Sequence, residues 1–403
     1  MFEEKILHCV SLIVRKENLS KYKLQFGEET KKGDGYFAKV IFTTVTGTTV
    51  NGEEKIWEFA VKMSTSNEKL RRQTPVKEFF EREIYLYEQI IPSFKNFQEE
   101  MKVDKNMLDV IPTCYLAESL QDCEIVVLEN LRTHGFSLWD RKIPTTYDYI
   151  KLVLQAYAKW HCFSLAMRHK SAATFEKLTE NYVHLFPYFI LKVGLDNIIY
   201  EYYEEILDAW ENDTELKENR FSKSDIKNIL TNLVSEDPHS SVILHGDCWT
   251  NNFMFKVEEK SQRPVGVRII DLQLSGLGSP VLDLSVFIYA CVDVEKHKNV
   301  EELLKIYYDF LSENLRQFKC DPSKIFSYDK LLNHWKTFSC YGLILGIFLL
   351  KFSLGESDEV PDFVDSANRG KEFLENFYFH IAKEETYFQR IKNNIIHYTA
   401  NLK

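Results

Sequence analysis

The spacing of apolar positions changes partway along this chain. Up to about residue 130 the apolar runs are short and rich in β-branched and aromatic residues, as strands require. YFAKVIFTTVTG and KIWEFAVKM are two such runs, joined by the turn-like TVNGEE. TCYLAES and CEIVVLENL read as a second hairpin. Between the two pairs, VKEFFEREIYLYEQIIP has helical spacing, and Pro92 is expected to end that helix. From TYDYIKLVLQAYAKWHCFSLAMRHK onward the period is helical, except over 242–275, where short strands return. These elements predict an α+β chain of two lobes: a small antiparallel-sheet lobe over residues 1–132 and a larger, mainly helical lobe over 133–403. TFSCYGLILGIFLL, the most apolar run, is shorter than the roughly 20 residues a membrane span needs and reads as a buried helix.

Alternation along KIWEFAVKM puts Trp57, Phe59, Val61 and Met63 on one face and Glu58, Ala60 and Lys62 on the other. Lys62 then sits beside a small residue, a position suited to a cation that reaches phosphates across a cleft. In the following helix Phe79, Glu83, Leu86 and Ile90 share a stripe, while Lys77, Glu81 and Glu88 share a polar one. A carboxylate on an apolar face needs a partner, and Lys62 is the best placed.

The segment VILHGDCWTNNFMF is a short strand, a polar loop and the start of a hairpin that closes at VGVRII. The hairpin brings Asn252, just before its first strand, near Asp271, just after its second. Asp247 lies on the same rim. Two carboxylates and an amide on one edge suit Mg²⁺, which takes hard oxygen ligands and substrate phosphates. The order His245-x-Asp247-x4-Asn252, then Asp271, is the spacing of phosphoryl transfer: one Asp for the acceptor hydroxyl, the Asn and second Asp for metal. Upstream, KKGDGYFAKV offers Gly33 and Gly35 as a phosphate-covering loop with Ala38 where a third glycine would stand; the same residues also fit a plain hairpin turn.

Composition narrows the classes. A net charge of -10 argues against general nucleic-acid binding. The eight cysteines are scattered with no CxxC pair, which points away from zinc clusters and disulfides and towards reduced, buried thiols. MFEEKILHCVSL lacks the basic start and apolar core of a signal peptide, so a cytoplasmic location is expected, with no membrane span and no obligatory protein partner. His161, on the stripe Ile150, Leu154, Tyr157, Ser164, reads as a buried structural histidine, and His245 as a loop brace rather than a base. The aromatic runs LFPYF and IIYEYYEEILDAW read as core packing before pocket wall.

LHGDCWTNNFMF and IIDLQLSGLGSPVLDLSVF, with EREIYLYEQIIP, VVLENL and AKWHCFSL in the same order, resemble the ecdysteroid kinase-like (CHK kinase-like) family, related to choline kinase and aminoglycoside phosphotransferases. The resemblance implies a bilobal protein-kinase-like fold and ATP- and Mg²⁺-dependent phosphorylation of a hydroxyl on a small molecule, such as a sterol-type or xenobiotic alcohol. It implies Asp247 as catalytic base, Asn252 and Asp271 as metal ligands, and Lys62 with Glu83 as the phosphate-positioning pair. Backbone groups near Glu129 and Leu131 would read adenine, and Asp283 would brace the catalytic loop. Leu-Gln after Asp271, where protein kinases carry Phe-Gly, favours a small-molecule enzyme. A choline or ethanolamine kinase and a non-catalytic nucleotide-binding pseudokinase are the alternatives.

Overall fold

The computed structural model describes residues 2–29, 37–213, 216, 220–233 and 240–401. Five strands, β1 (Leu19–Glu29), β2 (Ala38–Thr49), β3 (Glu54–Ser64), β4 (Cys114–Leu120) and β5 (Cys123–Glu129), pair antiparallel in the order β1-β2-β3-β5-β4. Phe59, Val61 and Met63 of β3 point into one core with Ile41, Val45, Ile125 and Val127, as the alternation predicts. That face is covered by a helix not anticipated above, α1 (Phe2–Lys16), which contributes Ile6, Cys9, Val10, Ile13 and Val14. Their spacing is helical, and the charged residues Glu3, Glu4, Arg15 and Lys16 that flank them are exposed.

The opposite face of the sheet carries Ala60 and Lys62 and packs on a helical stretch. After the short helix α2 (Glu68–Gln73) comes α3 (Val76–Tyr85), which buries Phe79, Phe80 and Glu83. Pro92 does not end this stretch. A π-helical turn at Leu86–Ile90 widens the hydrogen-bond ladder, with Ile91 N–H bonded to Leu86 O, and α4 runs on from Ile91 to Met101. Pro92 thereby falls in the first turn of α4, where its missing N–H costs little.

In the helical part, α5 (Tyr147–Lys170) is the central element, with Ile150, Leu154, Tyr157, His161 and Ser164 all buried. The helix Pro280–Cys291 is buried at every position and lies against Tyr328–Leu354. Gly342 makes the approach possible, because a Cβ there would overlap the backbone of Ser285. The apolar segment 322–354 is long enough to cross a membrane by length and composition, yet 89% of its most apolar window is buried inside the protein. All eight cysteines are free thiols, seven of them buried. Two small sheets complete the frame: β6 (Phe136–Leu138) beside the hairpin β8 (Phe253–Val257) and β9 (Pro264–Ile269), and β7 (Val242–Ile243) beside β10 (Leu277–Gly278).

Candidate active site

Lys62 and Glu83 meet as their stripes predict. Lys62 Nζ donates to Glu83 Oε2 at 2.6 Å and to Asp271 Oδ1 at 2.6 Å. Burial works against the ammonium, but the charges of Asp271 and Glu83 outweigh it and hold the amine above its ordinary range. The second oxygen of Glu83 accepts the Leu272 N–H at 3.3 Å, so one buried carboxylate ties the amine of β3 to the segment after β9. Asp271 itself has φ +64°, a left-handed backbone uncommon for a residue with a Cβ.

The hairpin geometry also brings Asn252 to Asp271: the Ile270 N–H donates to the Asn252 carbonyl at 3.0 Å. Asn252 Nδ2 then donates to Asp247 Oδ2 at 2.7 Å and to the Asp247 carbonyl at 3.0 Å. Burial and the neighbouring charge of Asp271 push the Asp247 carboxyl up to about 7, against its bonds to Asn252 and Trp249.

Beneath this rim Asp283 fixes the loop. It accepts the backbone N–H groups of His245 (2.7 Å) and Gly246 (3.0 Å), the Cys248 thiol (3.0 Å) and His161 Nε2 (3.1 Å). Burial alone would raise this carboxyl, but the bond and charge of His161 and the neighbouring His245 bring it below its usual range. The other nitrogen of His161 meets Tyr307 Oη at 3.0 Å, so that ring is a buried structural group. His245 is also spent, between Tyr157 Oη and the Ile270 carbonyl, each at 3.0 Å. Burial lowers its basicity, and it braces the loop. Gly246 is required where it stands: φ is +86°, and a Cβ would drive into the Leu274 carbonyl.

Two cavities flank the rim. The first, of about 910 Å³, lies under the sheet and is lined by Ala38, Val40, Ala60, Lys62, Glu83, Leu128, Glu129, Leu131, Met254 and others. The second, of about 870 Å³, is walled by nine phenylalanines and four leucines and opens on Asp247. Asn252 and Asp271 line both cavities, and no other described residue does.

The phenylalanines come from positions 37 to 377, so no local motif announces the chamber. LFPYF supplies two of them, Phe186 and Phe189, so for that run the pocket-wall reading holds over the packing default; in IIYEYYEEILDAW, Tyr202 and Tyr203 are buried in the core and Tyr200 packs against it. Phe37, at the edge of β2, contacts Phe363 with ring centroids 5.5 Å apart. The segment carrying Phe363 and Phe373 is strapped to α2: Asn67 Nδ2 donates to Asn368 Oδ1 (2.7 Å), Lys69 Nζ to the Gly370 carbonyl (2.6 Å), and the Phe373 N–H to Gln73 Oε1 (3.0 Å). Gly33 and Gly35 lie outside the described residues.

Among the described residues no three His, Cys, Asp or Glu side chains gather to hold a metal by themselves. The rim instead offers an amide and a carboxylate, with Asp247, Asp271 and Glu83 gathered near Lys62. That negative excess suits a divalent ion completed by phosphate oxygens.

A sheet lobe over a helical lobe, with a buried Lys–Glu pair opposite an Asp-Asn-Asp rim, defines a two-lobed kinase-like α+β protein. The chain matches the ecdysteroid kinase-like family over residues 32–320 and belongs to that family. A search of curated proteins returned no match. Solved structures similar in outline include the GDP complex of wild-type aminoglycoside 2'-phosphotransferase-IIIa, at 12% identity and a TM-score of 0.38, covering 98% of each chain. The GDP complex of a point mutant of that enzyme gives 10% identity and a TM-score of 0.37, covering 98% of this chain and 97% of the other. Likeness at this level leaves nucleotide and acceptor to be read from this chain's own residues.

Proposed function

We propose that this protein transfers the γ-phosphoryl group of ATP to a hydroxyl of a small, largely apolar molecule, a sterol-like or xenobiotic alcohol. The observation that carries the reading is the meeting of two cavities at Asn252 and Asp271. A triphosphate in the cleft under the sheet would end where an alcohol in the phenylalanine chamber begins.

The division of labour follows from position. Lys62, held by Glu83, neutralises the phosphate chain. The Glu129 N–H is taken by the Thr113 carbonyl at 2.9 Å, so an adenine base would be read by the Glu129 carbonyl and the Leu131 N–H. Asn252 and Asp271 would hold Mg²⁺, which would supply positive charge against the phosphate chain during transfer. Asp247 accepts the proton of the acceptor hydroxyl as its oxygen bonds to Pγ and the Pγ–O bond to ADP breaks. Most of the acceleration comes from this positioning and charge neutralisation.

The chamber favours an apolar alcohol over choline or ethanolamine. Among the described residues its carboxylates are Asp247 and Asp271, both committed to transfer, so no further acid is left to pair with an onium group. A pseudokinase would have no need to hold Asp247 over the chamber. Incubating the protein with MgATP and a panel of sterols and other alcohols should yield a product heavier by one phosphate. Asp247→Asn should lower the rate by roughly 10²–10⁴-fold, and Asp271→Ala should abolish Mg-dependent turnover. An Asp247→Asn enzyme as fast as the unaltered one would overturn the assignment.

A further inference from the structure

One polar group in the chamber is left over by the chemistry above. Gln273 is buried, 8% exposed, and its Oε1 makes no hydrogen bond within the protein. It lines the phenylalanine chamber and not the cleft under the sheet, so it faces the acceptor rather than the nucleotide. Apart from the rim residues Asp247, Asn252 and Asp271, and Trp249 beside them, every other described lining residue is apolar or a glycine.

The segment bearing Gln273 is pinned on both sides. The Leu272 N–H is held by Glu83, the Ser275 N–H by the Leu272 carbonyl (3.1 Å), and Ser275 Oγ by the Leu244 carbonyl. The Leu274 carbonyl abuts Gly246. An amide oxygen buried without a donor, on a side chain that lines the chamber and on backbone that is held in place, is costly unless a donor arrives.

We propose that Gln273 is a specificity-determining residue that accepts a hydrogen bond from a second hydroxyl of the acceptor, apart from the one phosphorylated. The substrate class is then an apolar body with at least two hydroxyls. The inference rests on the phosphotransfer reading for its meaning but is tested by binding. A site built around an unpaired acceptor discriminates strongly against ligands lacking the donor, because its own polar group stays unsatisfied.

The experiment pairs rigid steroid diols with counterparts lacking one hydroxyl, and measures binding of each by calorimetry. The proteins are the full chain, Gln273→Met and Gln273→Leu, with thermal unfolding as the check on folding. At least one diol should bind the unaltered chain tenfold or more tighter than its deoxy counterpart. Both variants should lose that preference while keeping or improving affinity for the deoxy ligand. A preference unchanged in folded variants, or an unaltered chain that shows none on the whole panel, overturns the role of Gln273. Phosphate transfer to the same ligands is scored separately: binding preference as expected with no transfer by any form would sink the phosphotransferase reading and leave the Gln273 contact standing.

Discussion

Replacing Asp283 by Asn separates bracing from chemistry, because the side chain keeps its shape and loses one acceptor oxygen. In the native loop one oxygen of Asp283 takes the His245 N–H and His161 Nε2, and the other takes the Gly246 N–H and the Cys248 thiol. Asn can satisfy only one pair. The less damaging orientation keeps its oxygen towards His245 and His161 and turns the NH₂ group against Gly246 and Cys248. That forfeits a charge-assisted backbone bond, about 1.5–3 kcal/mol, and roughly halves the strength of the bonds that remain. The sum is about 3–5 kcal/mol, a large share of the 5–15 kcal/mol by which a typical domain is stable. Chemical denaturation followed by tryptophan fluorescence should show a loss of that size. The folded-state carboxyl titrates below its ordinary value, so its contribution is present at neutral pH and fades as pH falls through that lowered value. The gap between the two proteins should therefore narrow below about pH 4. Because the bonds at 245 and 246 hold the loop that carries Asp247, kcat should also fall by roughly 10²-fold. MgATP affinity should persist, since Asp283 does not line the cleft under the sheet. A variant within about 1 kcal/mol of the parent would refute the four-bond account. Lost stability with kcat intact would refute the link to Asp247.

Two further perturbations test neighbouring parts. Glu83→Gln can face its carbonyl to Lys62 only by turning its NH₂ against the Leu272 N–H, so the amine is left chiefly to Asp271. The KM for MgATP should rise about tenfold or more in initial-rate assays, and an unchanged KM would remove Glu83 from phosphate positioning. Gly246→Ala places a Cβ against the Leu274 carbonyl at a φ of +86°. It should destabilise the protein by about 3 kcal/mol in denaturant titration; a change near zero would mean the loop relaxes freely.

The candidate rim was legible because short covalent paths set it. β3 alternates over a few residues, the helix stripe spans two turns from Phe79, and the hairpin from Asn252 to Asp271 closes on itself. Periodicity brings Lys62 to Glu83, with hairpin closure bringing Asn252 to Asp271. It does not place Pro92, because the π-turn that accommodates it leaves no compositional trace. The chamber was illegible for a different reason. A phenylalanine that walls a cavity and one that fills a core obey the same burial rule, and only the fold decides which neighbours stop short of contact.

That difference has a consequence for how the site is put together. Seven of the chamber's wall residues, Leu345, Phe348, Leu349, Phe352, Phe363, Phe373 and Phe377, lie beyond residue 320, outside the stretch that matches the family. The residues that line the cleft under the sheet lie inside it, from Ala38 to Asp271. Part of the chamber is thus carried by a segment separate from the cleft under the sheet, while Phe37, Phe79, Phe186 and Phe189 come from the matched stretch, and the two cavities meet at Asn252 and Asp271. Substitutions on the late helices can reshape the chamber while the Lys62–Glu83–Asp271 contacts stay as they are, because among the described residues the bonds within that trio, and from Glu83 to Leu272, involve none after 272.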